Sequence, residues 1–192
     1  MKTLTRIHRE QHGVSLIELL VVMLLATIIG GYVTSSLVQG MRTAAHAQDR
    51  VYALAELERI TQRISRELRA ADPLVAASAT QVEATVYRGG QRLKYRYQLS
   101  GDVLTQTLTT YATPIASTPL STTTTTMVDD LDQTGVTAFD YRKDGDQPWV
   151  AGTDPISDIR QVRIAFARSV GTAADPILVQ TAVELRNTGF GG

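Results

Sequence analysis

The sequence predicts an α+β protein: a long N-terminal helix, membrane-spanning in its first half and amphipathic in its second, packed on an antiparallel β-sheet head. Three observations predict it. They are an apolar run over 14–33, apolar residues recurring at three and four places as far as Ala71, and a switch to period two from Gln81. With 192 residues, 43% of them hydrophobic, the chain suits one modest domain plus an extra element.

Composition removes several function classes. There is no cysteine, so thiolate metal sites, thiol nucleophiles and disulfides are excluded. The three histidines, His8, His12 and His46, offer neither a metal cluster nor a triad. No Gly-rich phosphate loop, zinc signature or nucleophile elbow occurs, and the formal charge is zero. The chain therefore reads as a non-enzyme without a cofactor.

Residues 1–13 form a charged head in which Lys2, Arg6 and Arg9 outweigh Glu10, leaving net +2. By the positive-inside rule this end stays cytoplasmic and the rest of the chain is sent across. Residues 14–34 follow as a span of roughly 30 Å, enough to cross the hydrocarbon of a bilayer. A cleaved secretory signal has a shorter apolar core and a small-residue cleavage site, whereas this run continues straight into helical periodicity. Glu18 stands inside it. An ionised side chain at the centre of a membrane helix costs about 2.5 to 3.5 kcal/mol on insertion scales, so a partner for this carboxylate is expected.

Residues 35–72 read as the amphipathic stalk. Leu54, Leu57, Ile60, Ile64, Leu68 and Ala71 mark its greasy face, while Arg50, Glu58, Arg59, Arg63, Arg66 and Arg69 mark the other. Arg63 and Glu67 stand at neighbour spacing, and Pro73 after Asp72 is a stop. A helix over 14–71 would be roughly 85 Å long. Gly30-Gly31 is either a close-packing or bending point or is simply tolerated.

Residues 73–192 form the head. The segment "QVEATVYRGGQRLKYRYQLSGDVLTQTL" reads as a meander with turns at Gly89-Gly90 and Gly101-Asp102. If the two glycines are the central turn residues, Val86 pairs with Leu93, Ala84 with Tyr95 and Val82 with Tyr97. The outward face then sets Glu83 opposite Arg96 as an ion pair, and Tyr87 opposite Arg92 as a cation–π contact. Further strands are expected at Val136 to Tyr141, Ile159 to Arg168 and Ile177 to Leu185, with "TPIASTPLSTTTTT" and "KDGDQPWVAGTDPIS" as loops. The threonine tract is expected to be extended, with glycosylation as the alternative.

Two sets of residues carry a family resemblance. Gly13-Val14-Ser15-Leu16-Ile17-Glu18-Leu19 resembles the cleavage and methylation signature of type IV pilins and type II secretion pseudopilins. "VTAFDYRKDGDQPW", "IRQVRIAFA" and "VELRN" are similar to C-terminal blocks of PilW-type minor pilins and PulJ-type minor pseudopilins. The resemblance implies cleavage by a prepilin peptidase between Gly13 and Val14, N-methylation of Val14, and pairing of Glu18 with the amino terminus of a neighbouring subunit. Val14 stands where most members have phenylalanine. The resemblance also implies a pilin-like fold, inner-membrane insertion with the head outside the cytoplasm, and partners among major and minor pilins and the pilus assembly platform. The role expected is that of a minor pilin that initiates or caps a filament. The alternatives are a secretion pseudopilin and a DNA-uptake or adhesion pilin.

Two further sets of residues have a composition suited to binding. Asp140, Asp144 and Asp146 have a spacing similar to a calcium loop, but without the trailing glutamate of an EF-hand, so a metal site is not expected. Arg92, Lys94 and Arg96 share one strand face and could meet the phosphates of DNA. Tyr95 and Tyr97 point away from that face, which disfavours stacking beside the charges.

Overall fold

The computed structural model describes residues 15–171 and 175–185. Helix α1 spans Leu16–Arg69. A five-stranded antiparallel sheet follows, β1 (Leu74–Ser78), β2 (Gln81–Arg88), β3 (Gln91–Ser100), β4 (Val103–Tyr111) and β5 (Ser121–Val128), its strands in sequence order. A second, three-stranded sheet contains β6 (Phe139–Arg142), β7 (Gln161–Arg168) and β8 (Ile177–Glu184), also in order. The head thus has two sheets where one was expected. By compactness the chain divides into two units, with the boundary inside α1 between Ala45 and His46.

In the first unit the helix is apolar on every side, reaching a mean hydropathy of 2.4, and it is long and apolar enough to cross a membrane. Gly30 and Gly31 lie within the helix, and a Cβ added at either would meet nothing within 4 Å. They have no close-packed neighbour among the described residues.

In the second unit Ala53, Leu57, Ile60, Thr61, Ile64, Ser65 and Leu68 form the buried stripe of α1. The three-and-four spacing is as expected, but Leu54 is 39% exposed and flanks the stripe rather than joining it. Thr61 and Ser65 are buried in addition, the Ser65 hydroxyl donating to the Thr61 carbonyl at 2.7 Å. At the C-terminus Ala70 and Ala71 donate to the carbonyls of Glu67 and Leu68, a tightened last turn. Asp72 then donates to the Thr85 carbonyl at 2.7 Å and Thr85 donates back to the Pro73 carbonyl at 3.0 Å, so backbone bonds tie the helix end directly to β2.

The first hairpin has the expected register throughout: Val86↔Leu93, Ala84↔Tyr95 and Val82↔Tyr97 on one face, Glu83↔Arg96 and Tyr87↔Arg92 on the other. Gly89 and Gly90 have φ of 57° and 77°, the left-handed values that a two-residue turn between twisted strands demands. The second turn also falls where expected, Ser100 pairing with Val103 around Gly101 and Asp102.

Three strand expectations need correction, and one strand was not foreseen. The threonine tract is not a loop but strand β5, pairing Thr105↔Thr126, Thr107↔Thr124 and Thr109↔Thr122 with β4. Threonine is β-branched and suits a pleated edge, and hydroxyls of Thr107 and Thr124 meet at 3.0 Å. β1, which no periodicity announced, pairs with β2 and gives it a neighbour on both edges. β6 starts at Phe139 rather than Val136, because Gly135 (φ 73°) and a Val136-to-Gln133 backbone bond place that stretch in a turn. β7 starts at Gln161 rather than Ile159, after a short 3₁₀ turn over Ile156–Asp158.

Tyr97, Phe139, Phe166, Leu57 and Ile64 are among the largest fully buried side chains, and Phe139 and Phe166 meet edge to face at 5.9 Å. The helix stripe and the inner faces of both sheets share one core.

Candidate functional site

Glu18 lies in the first turn of α1, where the helix dipole favours a carboxylate. It is the sole charged side chain from Ser15 to Met41. Every residue from Ser15 to Ala45 is exposed, including Leu16 at 79% and Ile17 at 70%, so none of the described residues covers the apolar surface around it. Both threonine hydroxyls of this stretch are satisfied within the helix. The hydroxyls of Thr27 and Thr34 donate to the carbonyls of Met23 and Gly30, both at 2.8 Å. In an apolar medium Glu18, as the charged group of the stretch, carries the largest need of a partner. The expected cleavage and methylation positions, Gly13 and Val14, lie outside the described residues.

Between α1 and the first sheet lies a polar network that sequence reasoning missed. The hydroxyl of the fully buried Tyr97 donates to Glu67 Oε2. Gln106 Nε2 donates to the same oxygen at 3.0 Å and to the Tyr97 oxygen at 2.8 Å. Arg63 closes the set, donating to Gln106 Oε1 at 2.7 Å and to Glu67 Oε1 at 3.3 Å. Burial pushes the Tyr97 phenol far above its usual range, and the Glu67 charge adds to that. A phenol so held is a permanent donor, which suits a lock between helix and sheet rather than proton transfer. The signal in the sequence was a tyrosine on the core face of β3, whose hydroxyl must find an acceptor.

Arg92, Lys94 and Arg96 share one face of β3, as expected, but each already has a partner within the chain. Glu83 faces them, and it is 2% exposed rather than outward-facing, because β1 and β3 flank it on both sides. Lys94 and Arg96 both form ion pairs with it. Burial pushes the Glu83 carboxyl up, yet the hydrogen bonds and charges of the two cations outweigh this and hold it below the ordinary carboxylate range. Arg92 donates to the Ala116 carbonyl at 2.6 Å and lies 3.9 Å over the ring of Tyr111. The cation–π partner is Tyr111 rather than Tyr87, since both β2 and β4 place a tyrosine beside Arg92.

The three carboxylates with calcium-like spacing are not brought together. Asp140 accepts from Arg142 at 2.8 Å, Asp146 pairs with Arg163 at 2.5 Å, and Asp144 caps the Gly145 backbone N–H at 3.1 Å. Among the described residues no group of three His, Cys, Asp or Glu side chains could hold a metal ion. In the neighbouring acidic stretch, hydrogen bonds from Ser169 and Thr134 hold the Asp132 carboxyl below its ordinary value.

Comparison with known families agrees with the N-terminal geometry. The family model described as the prokaryotic N-terminal methylation motif matches residues 8–34, a stretch that contains Gly13, Val14 and Glu18. No curated protein matches the chain. The motif implies processing by a prepilin peptidase and association with other pilins. Residues 8–34 give this chain a prepilin-type N-terminal methylation motif, carried into a long apolar helix and an α+β head of pilin-like architecture.

Proposed function

We propose that the chain is a minor type IV pilin, a membrane-inserted prepilin-peptidase substrate that takes part in initiating or capping a filament. In this reading residues 1–13 are a leader removed between Gly13 and Val14, and Val14 becomes an N-methylated amino terminus. Residues 14–34 are the membrane and filament-core helix, 35–72 the stalk and 73–192 the head. The observation that carries it is Glu18, a lone carboxylate on an exposed apolar helix inside the matched motif.

The mechanism is electrostatic. The new amino group has an unperturbed pKa of about 8 and is protonated at neutral pH. Set against Glu18 of an adjoining subunit, it offsets the cost of both charges in the apolar filament core. An apolar helix alone could slide along its neighbour. One ion pair per interface fixes the axial register.

Glu18→Ala tests this. The variant is expected to insert and to be cleaved, but to be absent from sheared filaments when scored by immunoblot. Incorporation at the wild-type level would contradict the pairing.

A further inference from the structure

The second sheet ends at β8, whose outer edge has no strand beside it among the described residues. A cleft of about 490 Å³ runs between that edge and α1, lined by Glu58, Thr61, Gln62, Ser65, Arg66 and Arg69 on the helix and by Val179, Gln180 and Thr181 on the strand. We propose that it receives an extended peptide segment of a partner protein, added to β8 as a fourth strand and held by charges at its two ends.

Four observations support this. A free strand edge presents unpaired backbone N–H and C=O groups, the template for strand addition. β8 carries no proline or lysine over Ile177–Glu184 and pairs with β7 without a bulge, so none of these three devices blocks its edge. Among the described residues Glu58, Arg66 and Arg69 have no ion-pair partner, although Arg63 on the same helix has one. Thr61 is 2% exposed, and its hydroxyl is buried without a hydrogen-bond partner among the described residues.

The charges also specify the occupant. Glu58 stands at one end of the cleft and Arg66 and Arg69 at the other. Arg66 lies eight positions beyond Glu58, about 12 Å at the helical rise. An extended chain covers that distance in about four residues, and residues four apart point to the same face. The segment that fits is therefore a β-forming peptide with a basic side chain and an acidic one four positions apart, the acid against the arginines.

The test uses the full chain in detergent micelles, challenged with a displayed library of random linear peptides. The expected result is enrichment of β-branched sequences with that acid–base spacing. Combined Arg66→Glu and Arg69→Glu should weaken their binding about tenfold or more. Arg59→Glu, on the same helix but outside the cleft, should leave it unchanged. Thermal midpoints of both variants show whether the fold survives. The proposal is overturned if nothing is enriched, or if the enriched peptides bind the double variant as well as the parent. It is also overturned if they bind only after truncation beyond Leu185, which would make the chain's own C-terminal segment the occupant.

Discussion

At the scale of single residues, three carboxylates with similar chemistry have separate fates set by their surroundings. Glu18 has no partner among the described residues, Glu67 is bonded by a phenol, an amide and a guanidinium, and Glu83 is enclosed by two cations. Because Glu83 is held below its ordinary value of 4.5 in the fold, it contributes stability above that pH. The contribution is lost as pH falls through the depressed folded value. Acid unfolding of Glu83→Gln, followed by circular dichroism, should therefore show a weaker decline below pH 4.5 than the parent, from a lower starting stability. Tyr97→Phe deletes a donor from a buried network and should cost about 1–3 kcal/mol in denaturant unfolding. Glu83 was legible as an ion-pair partner, since counting outward from two glycines fixes which residues face each other. Its burial was not, because β1 has no period-two pattern to reveal that β2 is an interior strand. The second cation was missed for a related reason: Lys94 reaches Glu83 diagonally, where direct pairing gives only Arg96.

Secondary-structure elements were readable where one physical constraint dominated. The hairpin is such a case, since Gly89 and Gly90 supply the positive φ values that only a tight turn needs. Gly90→Val should therefore cost at least about 1–2 kcal/mol, read as a lowered thermal midpoint, because a β-branched side chain is strained at φ 77°. β5 was misread because Ser and Thr tracts beside Pro have the composition of loops, while threonine's branching suits an edge strand. In α1 the stripe of Leu57, Ile60, Ile64 and Leu68 was plain from spacing. Thr61 and Ser65 were not, because small polar residues enter a buried face only where the opposing surface leaves room for them.

For the whole molecule, the sequence divides its labour along one helix. Residues 15–45 are exposed among the described residues, whereas α1 from Ala53 onward shares a core with two sheets. A chain that leaves some thirty residues of apolar helix uncovered must find a bilayer or other copies of such helices to cover them. This was the most legible feature of all, since hydropathy needs no tertiary information. The partner of Glu18 was legible only through a motif, because it would come from another molecule.

The most direct test of the account is intact-mass and N-terminal peptide analysis of the native protein. It should begin at Val14 and be one methyl group heavier than the unmodified chain. Retention of Met1, or a start beyond Val33, would mean that no charged amino group lies near the level of Glu18, and the account of a paired, processed subunit would fail.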